Sequence, residues 1–268
     1  MKLSLITATH HRLHHLRQKA LPSVLAQSVE RSELEWIVVN DGSDPETAQL
    51  ITQLHPHFAV THLPMPHPEQ GFGLCHARNL GLEHASGEIV AYLDDDNAIA
   101  PDFTRQVLHG FEQRPDINFS MVQQRRRRDT SQKQGQPFVA PRADCTASSL
   151  LRHDDLFDSN GFAHRRQNAP RWNPGFRIFC DYEYFLQCLQ QWGEEAFMLH
   201  LAVLVDYVQT TDGIIGQSHY GEWAQELYRI CETAQLRPVV QPCTTHLRSV
   251  ADRWQAKAQL PIKAFAAA

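Results

Sequence analysis

The sequence predicts an α/β fold in which a mostly parallel central sheet carries helices on both faces. Three observations favour this fold. Short apolar runs alternate with stretches of helical spacing through residues 2–113. The connections between them are short, as in sheets whose parallel strands are joined by helices. Acidic turns at Asp41 and Asp94–Asp96 directly follow apolar runs, and parallel strands bind ligands at their carboxyl ends.

The first half of the chain supplies four strands and four helices in alternation. The strands are expected at Lys2–Ala8, Glu35–Asn40, Phe58–Leu63 and Glu88–Leu93, and the helices at Leu13–Gln27, Glu46–Leu54, Leu74–Ala85 and Pro101–Gln113. Ser43 or Asp44 can cap the second helix, because Pro45 suits the first helical position. Gly87 marks the end of the third helix.

The second half is less regular. Arg125–Gln136 is polar, breaks the alternation and is predicted to be a mobile surface loop. Further elements are expected as helices at Tyr182–Trp192, Glu222–Ala234 and Thr245–Ala258, and as a strand at Phe197–Val208. These patterns divide the chain into one α/β domain over residues 1–217 and a C-terminal helical extension over residues 218–268.

Composition and charge argue against several protein classes. The chain has 268 residues, with 25 Lys plus Arg, 30 Asp plus Glu and a formal charge of −5. General nucleic-acid binders usually carry a basic excess. The longest strongly apolar stretch, Met198–Val205, is far too short to span a bilayer. The N-terminus resembles a mature strand rather than a signal peptide, and six scattered Cys are typical of a reducing compartment. We therefore expect a cytoplasmic protein without a transmembrane segment.

The acidic run Asp94–Asp96 is the strongest single signal. Three consecutive carboxylates repel one another unless a cation or hydrogen bonds offset their charge. Hard oxygen ligands suit Mg²⁺ or Mn²⁺, and magnesium commonly completes its shell with water and substrate phosphate. The run therefore indicates a divalent metal that binds a diphosphate. The alternative is a solvated acidic turn without a ligand.

Two weaker signals precede the acidic run. Asp41 can accept hydrogen bonds from a base or a ribose, although Asp-Gly-Ser also favours a plain turn. Gly71-Phe72-Gly73 leads into a helix and invites comparison with dinucleotide loops. However, it follows the third strand and lacks a third glycine at the required spacing, so a flexible loop is the alternative. Arg78 on the same helix can bind a phosphate or pair with a carboxylate of the acidic edge.

Together these segments resemble the family 2 glycosyltransferases, enzymes of the fold called GT-A. The resemblance runs in order through LITATHHR (5–12), VVNDGSDPET (38–47), GLCHARNLGLEHASGEIVAYLDDDN (73–97), LLRHDDLFDSNGF (150–162) and CDYEYFLQCLQQWG (180–193). It implies that the chain transfers a sugar from a nucleotide-sugar donor, with a UDP-sugar expected, and that the reaction inverts the anomeric carbon. The implied acceptor is a saccharide, a lipid-linked molecule or another hydroxyl compound.

The resemblance also implies roles for particular regions and residues. Residues 1–97 correspond to a nucleotide-binding half and residues 98–217 to an acceptor-side half. Ala8, Thr9 and Arg12 match the nucleotide pocket, to which we also assign Arg78 as a residue that binds the nucleotide sugar.

The acidic residues match the family's conserved roles. Asp41 corresponds to the aspartate that recognises the base. In the family's Asp-x-Asp region, Asp95 corresponds to the residue that reaches the ribose, Asp96 to the ligand of Mn²⁺ or Mg²⁺, and Asp94 to a supporting residue. Asp181 corresponds to the general base and is expected across the pocket from Asp96. A helix cap is the alternative role for Asp181.

Several basic residues have less definite assignments. Some relatives use a late histidine as an additional metal ligand, which makes His219 a candidate, against the alternative of a surface histidine. His10 replaces a tyrosine that often stacks on the base. Residues 10, 11, 14 and 15 are histidines with zinc-like spacing, but no Cys or carboxylate accompanies them in the sequence. Arg125–Arg128 can be solvated, can form a lid that contacts phosphate, or can contact a membrane surface.

Three other functions share parts of this pattern. A non-catalytic relative that binds a nucleoside diphosphate would keep the fold, but the presence of Asp95, Asp96 and Asp181 favours an enzyme. A sugar nucleotidyltransferase would need a Gly-rich basic loop after the first strand, where this chain has ATHHR. A Rossmann dehydrogenase would need its glycine loop after the first strand rather than the third.

Overall fold

The computed structural model describes residues 1–54, 58–129, 134–209, 211 and 213–259. Nine strands form one sheet in the described part of the chain: β1 (Leu3–Thr9), β2 (Leu34–Asp41), β3 (Val60–Met65), β4 (Ile89–Tyr92), β5 (Ala98–Ile99), β6 (Phe119–Arg128), β7 (Phe138–Ala140), β8 (Phe162–Arg165) and β9 (Phe197–Gln209). The helices are α1 (Leu13–Gln18), α2 (Ala20–Leu25), α3 (Pro45–Leu54), α4 (Leu74–His84), α5 (Phe103–Gln113), α6 (Ala147–Leu151), α7 (Cys180–Trp192), α8 (Ile214–Gln217), α9 (Tyr220–Glu232) and α10 (Thr244–Ala258).

The sheet combines a parallel half with a half of mixed strand direction. Strands β3, β2, β1 and β4 lie side by side and run parallel. Strand β8 then pairs antiparallel with both β4 and β6, and β6 runs parallel to β9. Strands β7 and β5 pair antiparallel with β6 and β9. The predicted α/β fold is confirmed, and the four strands predicted from the alternation are those of the parallel half.

Side chains of the parallel strands alternate between two hydrophobic clusters, one on each face of the sheet. Trp36 and Val38 of β2 belong to one cluster, and Ile37 and Val39 belong to the other, as the period of two in a strand requires. All four are buried. Strands that are buried on both faces have continuous apolar sequences, which explains why these runs stand out.

The prediction of a single helix over Leu13–Gln27 is wrong, because the helix is interrupted. The chain instead forms α1 and α2, with Lys19 in a non-helical conformation between them. Pro22 explains the break, since its nitrogen cannot donate to the carbonyl of Gln18 and its ring would clash with that carbonyl.

The predicted surface loop Arg125–Gln136 is wrong for its first four residues. Arg125–Arg128 form the end of β6, which lies between β7 and β9. A strand that is hydrogen-bonded through its main chain accepts charged side chains when they reach solvent or a cavity. Residues 130–133 of the predicted loop lie outside the described residues.

The C-terminal helices α9 and α10 share a buried hydrophobic cluster with α7. Leu227 and Ile230 of α9 and Leu247 of α10 belong to the same buried cluster as Phe185 and Leu186 of α7. One face of α9 and one face of α10 therefore contribute to the core beside α7. Among the described residues, no helix is both long and apolar enough to cross a bilayer.

Candidate functional site

A cavity of about 580 Å³ opens where the parallel strands end. Because β1, β2 and β4 run parallel, the residues at or after their carboxyl ends meet at one edge. Nine predicted site residues line this cavity: Ala8, Thr9, Arg12, Asp41, Arg78, Asp94, Asp95, Asp96 and Asp181. His219 is not among the lining residues. Its side chain is 75% exposed and lies 3.7 Å from Glu222.

Asp95 and Asp96 share Arg12 but differ in burial. The Thr9 hydroxyl donates a 2.8 Å hydrogen bond to Asp95 Oδ2, and Arg12 lies 3.3 Å from Asp95 Oδ1. Burial raises the pKa of Asp95 to about 7, although Arg12 opposes this rise. Asp96 accepts bonds of 2.7 Å from Arg12 and 2.9 Å from the Asn97 amide. The positive charge of Arg12 therefore offsets part of the repulsion within the acidic run.

Arg78 joins the acidic run to Asp181. Its side chain is only 2% exposed, and it donates at 2.9 Å to Asp94 and at 2.6 Å to Asp181. Its guanidinium also donates to the Ser159 hydroxyl and lies 4.3 Å from the centroid of the Trp172 ring. Of the two roles open to Arg78 from the sequence, the structure shows pairing with carboxylates.

The first turn of α7 carries Asp181, and α9 holds the residues that precede it. The main-chain N–H of Ser159 donates to Asp181 at 3.2 Å. The main-chain N–H groups of residues 177, 178 and 179 donate to the Glu226 carboxylate at 2.9, 2.9 and 2.7 Å. Glu226 therefore anchors the start of α7 to the C-terminal helices. No motif in the sequence pointed to this residue.

Asp41 is buried at the end of β2 and contacts two histidines. His67 Nδ1 lies 3.0 and 2.9 Å from its two carboxylate oxygens. His10 Nδ1 lies 3.0 Å from the Asp41 main-chain oxygen, and the His10 and His67 rings stack with centroids 4.2 Å apart. A Cβ at Gly73 would approach Asp41 Oδ2 to 2.0 Å. This close approach explains the need for glycine at the start of α4.

The opposite side of the cavity contains Arg126, which the sequence singled out only as part of the run Arg125–Arg128, and also Asp158 and Tyr207, which it did not single out. Arg126 lies 3.7 Å from the centroid of the Tyr207 ring and 3.6 Å from Asp158. The main chain and side chain of Asn160 both donate to Asp158. Burial raises the pKa of Asp158 to about 6. Residues Asp158, Ser159 and Asn160 lie inside a segment that carries the family resemblance. That segment was the sequence feature that could have identified Asp158 as a site residue.

Asp96 is the residue of the acidic run that can hold a hard divalent cation. Carboxylate oxygens are the donors that Mg²⁺ and Mn²⁺ prefer, and Asp96 lines the cavity beside Asp94 and Asp95. The Asp96 side chain is 17% exposed, so an ion can reach it from the cavity. Each Asp96 oxygen accepts one protein hydrogen bond and keeps a second lone pair for a metal.

The sequence profile of glycosyl transferase family 2 matches residues 4–181, about two thirds of the chain. The chain belongs to this family. An uncharacterized glycosyltransferase of Nostoc sp. is 34% identical over 112 residues, which are 42% of this chain and 33% of that protein. The matched segments thus span about a third of the length of the first curated relatives.

Solved structures show that this family 2 chain has the GT-A fold. Residues 1–349 of S. aureus TarS, solved in complex with UDP-GlcNAc, align with a TM-score of 0.73 at 13% identity, covering 98% of this chain and 77% of that one. The mannosyltransferase PcManGT from Pyrobaculum calidifontis, solved with GDP-Man and Mn²⁺, aligns with a TM-score of 0.63 at 18% identity, with the same coverage. At these identities, the likeness establishes the fold.

Proposed function

We propose that this chain is a metal-dependent, inverting glycosyltransferase that uses a nucleoside-diphosphate sugar, with a UDP-sugar as the expected donor. One observation carries the proposal: the acidic run and Asp181 line the same cavity and are joined through Arg78. The nucleotide sugars in the two structural relatives support the donor class. The sugar and its acceptor hydroxyl would lie between the acidic run and α7.

The residues at the end of the parallel strands would bind the donor. Asp41 would accept hydrogen bonds from the base and Asp95 from the ribose, while Ala8 and Thr9 would border the nucleotide. Asp96 would hold a Mg²⁺ or Mn²⁺ ion, with Asp94 in support. When bound, this ion supplies positive charge that stabilises the leaving diphosphate.

Asp181 would act as the general base. Its carboxylate would accept the proton of the acceptor hydroxyl while the hydroxyl oxygen bonds to the anomeric carbon. The bond from that carbon to the diphosphate oxygen breaks in the same displacement, so the configuration inverts. Arg78 would orient Asp181 through its 2.6 Å hydrogen bond to that carboxylate.

A thermal-shift screen with UDP, GDP, CDP and TDP, each with Mn²⁺ and with EDTA, tests the donor assignment. One nucleotide is expected to stabilise the chain only with metal, by about 2.7 kcal/mol at 100 times its dissociation constant. Asp96→Ala should abolish this shift. If no nucleotide shifts the transition with any metal, the cavity is not a donor site.

A further inference from the structure

A second group of metal-binding side chains lines the same cavity, apart from the acidic run. His10, Asp41 and His67 each offer one ligand atom, and these atoms lie within 4.8 Å of one another. All three residues line the cavity. We propose that His10, Asp41 and His67 form a site for a late first-row divalent metal ion, with Zn²⁺ as the representative.

The distances suit a small tetrahedral ion. Zinc bonds of about 2.0–2.1 Å place neighbouring ligand atoms about 3.3 Å apart. His67 Nδ1 lies 2.9 Å from an Asp41 oxygen, and His10 Nδ1 lies 3.6 Å from the same oxygen. One separation is shorter and the other longer than the distance of about 3.3 Å between neighbouring ligand atoms of a tetrahedral zinc ion. Three protein ligands leave the fourth position open to water.

The ligands can adjust around a fixed carboxylate. Asp41 is 5% exposed, whereas the side chains of His10 and His67 are 46% and 37% exposed. The two rings now stack at an interplanar angle of 29°, so both lone pairs reach one ion only after a ring rotates. The exposure of His10 permits that rotation, at the cost of its 3.0 Å contact with the Asp41 main chain.

The donor set distinguishes this site from the acidic run. Two imidazoles and one carboxylate suit Zn²⁺, Ni²⁺ or Cu²⁺, whereas carboxylates alone suit Mg²⁺ and Mn²⁺. Two sites in one cavity would therefore select different ions. The second site depends on His10, which stands where the resemblance places a tyrosine, and on the loop residue His67.

An ion at this site would cover the Asp41 carboxylate. The proposed function gives that carboxylate to the nucleotide base, so the ion and the nucleotide would exclude each other. This exclusion rests on the proposed function, whereas the metal site itself does not. A metal of this class would then act as an inhibitor, while Mg²⁺ or Mn²⁺ at Asp96 would act as an activator.

Cobalt spectroscopy on the full chain tests the site. Four-coordinate Co²⁺ absorbs visible light far more strongly than six-coordinate Co²⁺, so titration with excess Mg²⁺ present reports on the histidine site alone. We expect an intense band that saturates at one ion per chain and is bleached by Zn²⁺. His67→Ala and His10→Ala should each abolish the band. His14→Ala, which changes an exposed histidine four residues from His10, should retain it.

Two results would overturn the metal site: only the weak absorption of six-coordinate Co²⁺ in the wild-type chain, or an unchanged band in folded His67→Ala and His10→Ala chains. Addition of UDP to the cobalt-loaded chain tests the metal site and the role of Asp41 in base binding independently. Bleaching by UDP is expected if Asp41 binds the base. If the band persisted while UDP was bound, the metal-site proposal would stand, but the role of Asp41 in base binding would be refuted.

Discussion

The two halves of the sheet build the two walls of the cavity by different means. In the first, here called the parallel wall, Thr9, Asp41 and Asp94–Asp96 lie at or just after the carboxyl ends of parallel strands. In the second, here called the mixed wall, Arg126 lies within β6 and Tyr207 within β9. Asp158 precedes β8, and Asp181 lies in the first turn of α7. The residues of the parallel wall are positioned by strand topology. The residues of the mixed wall are positioned by contacts between segments that are distant in the sequence.

Because the two walls are built differently, we expect substitutions in them to have different effects. Changes on the parallel wall should mainly alter nucleotide and metal binding, because the strands beneath it are buried on both faces. Changes to contacts of the mixed wall should alter stability and the placement of Asp181. Arg78 belongs to both walls, since it reaches from α4 to Asp94 and Asp181.

Arg78→Ala should have the largest effect on stability. It leaves Asp94 and Asp181 without their buried cation, and breaking a buried ion pair costs about 3–5 kcal/mol. Urea unfolding should show this loss. Arg114→Ala is the matched control, because Arg114 pairs with Asp116 at the surface with both side chains about half exposed. Equal stability of the two variants would contradict the bridging role of Arg78.

Asp158→Asn should change how stability depends on pH. The pKa of Asp158 rises from 3.8 to about 6 on folding, so the folded chain holds this proton more tightly than the unfolded chain. The resulting stabilisation is present below pH about 4 and is lost as the pH rises through about 6. It amounts to as much as about 3 kcal/mol.

Urea unfolding of both chains from pH 4.5 to 8 measures this effect. Relative to the wild type, Asp158→Asn should gain stability as the pH rises. Asp116→Asn, at an exposed carboxylate, should show no such gain between pH 5 and 8. A constant difference between Asp158→Asn and the wild type across this range would show that Asp158 titrates normally.

Gly73→Ala tests the parallel wall without changing its charge. The new Cβ would approach Asp41 Oδ2 to 2.0 Å, so the carboxylate must move. We expect UDP to bind at least about tenfold more weakly, which corresponds to about 1.4 kcal/mol. Gly71→Ala is the control for loop strain, because its Cβ meets no atom within 4 Å although its φ is +95°. If both variants bound UDP with similar affinity, Asp41 would not be a nucleotide-binding residue.

Glu226→Ala should have the smallest of these effects on stability. It removes the acceptor for three main-chain N–H groups at the start of α7, with an expected cost of about 1–2 kcal/mol. Because Asp181 lies two residues beyond Phe179, turnover should fall more than nucleotide affinity. Glu232→Ala, at an exposed position on the same helix, should change neither. A normal turnover number in Glu226→Ala would show that Asp181 is placed without α9.

The parallel wall could be predicted from the sequence because local patterns encode it. Apolar runs followed by Asp41 and Asp94–Asp96 identify both the strands and the edge at which they end. His67 could not be assigned, because it lies in a loop without periodicity and meets Asp41 only through folding. The break before Pro22, by contrast, could have been predicted, because a proline inside a helical pattern ends or kinks the helix.

The mixed wall was harder to predict because its residues depend on long-range contacts. Four consecutive arginines favour a solvated loop, and only the pairing of β6 with β9 shows that Arg126 stacks on Tyr207. Glu226 lies in a helix outside the residues matched by the family profile, and its partners are almost fifty residues away. Asp181 was found only through its resemblance to a family motif.

The most direct test of the central claim compares Asp96→Ala with Asp181→Asn in two assays, metal-dependent UDP binding and release of UDP from a UDP-sugar. If the two walls form one glycosyltransferase site, Asp96→Ala loses metal-dependent binding. Asp181→Asn keeps that binding, and its UDP release falls by at least about 100-fold, as expected for loss of a general base. Release of UDP by Asp181→Asn at the wild-type rate would contradict this account.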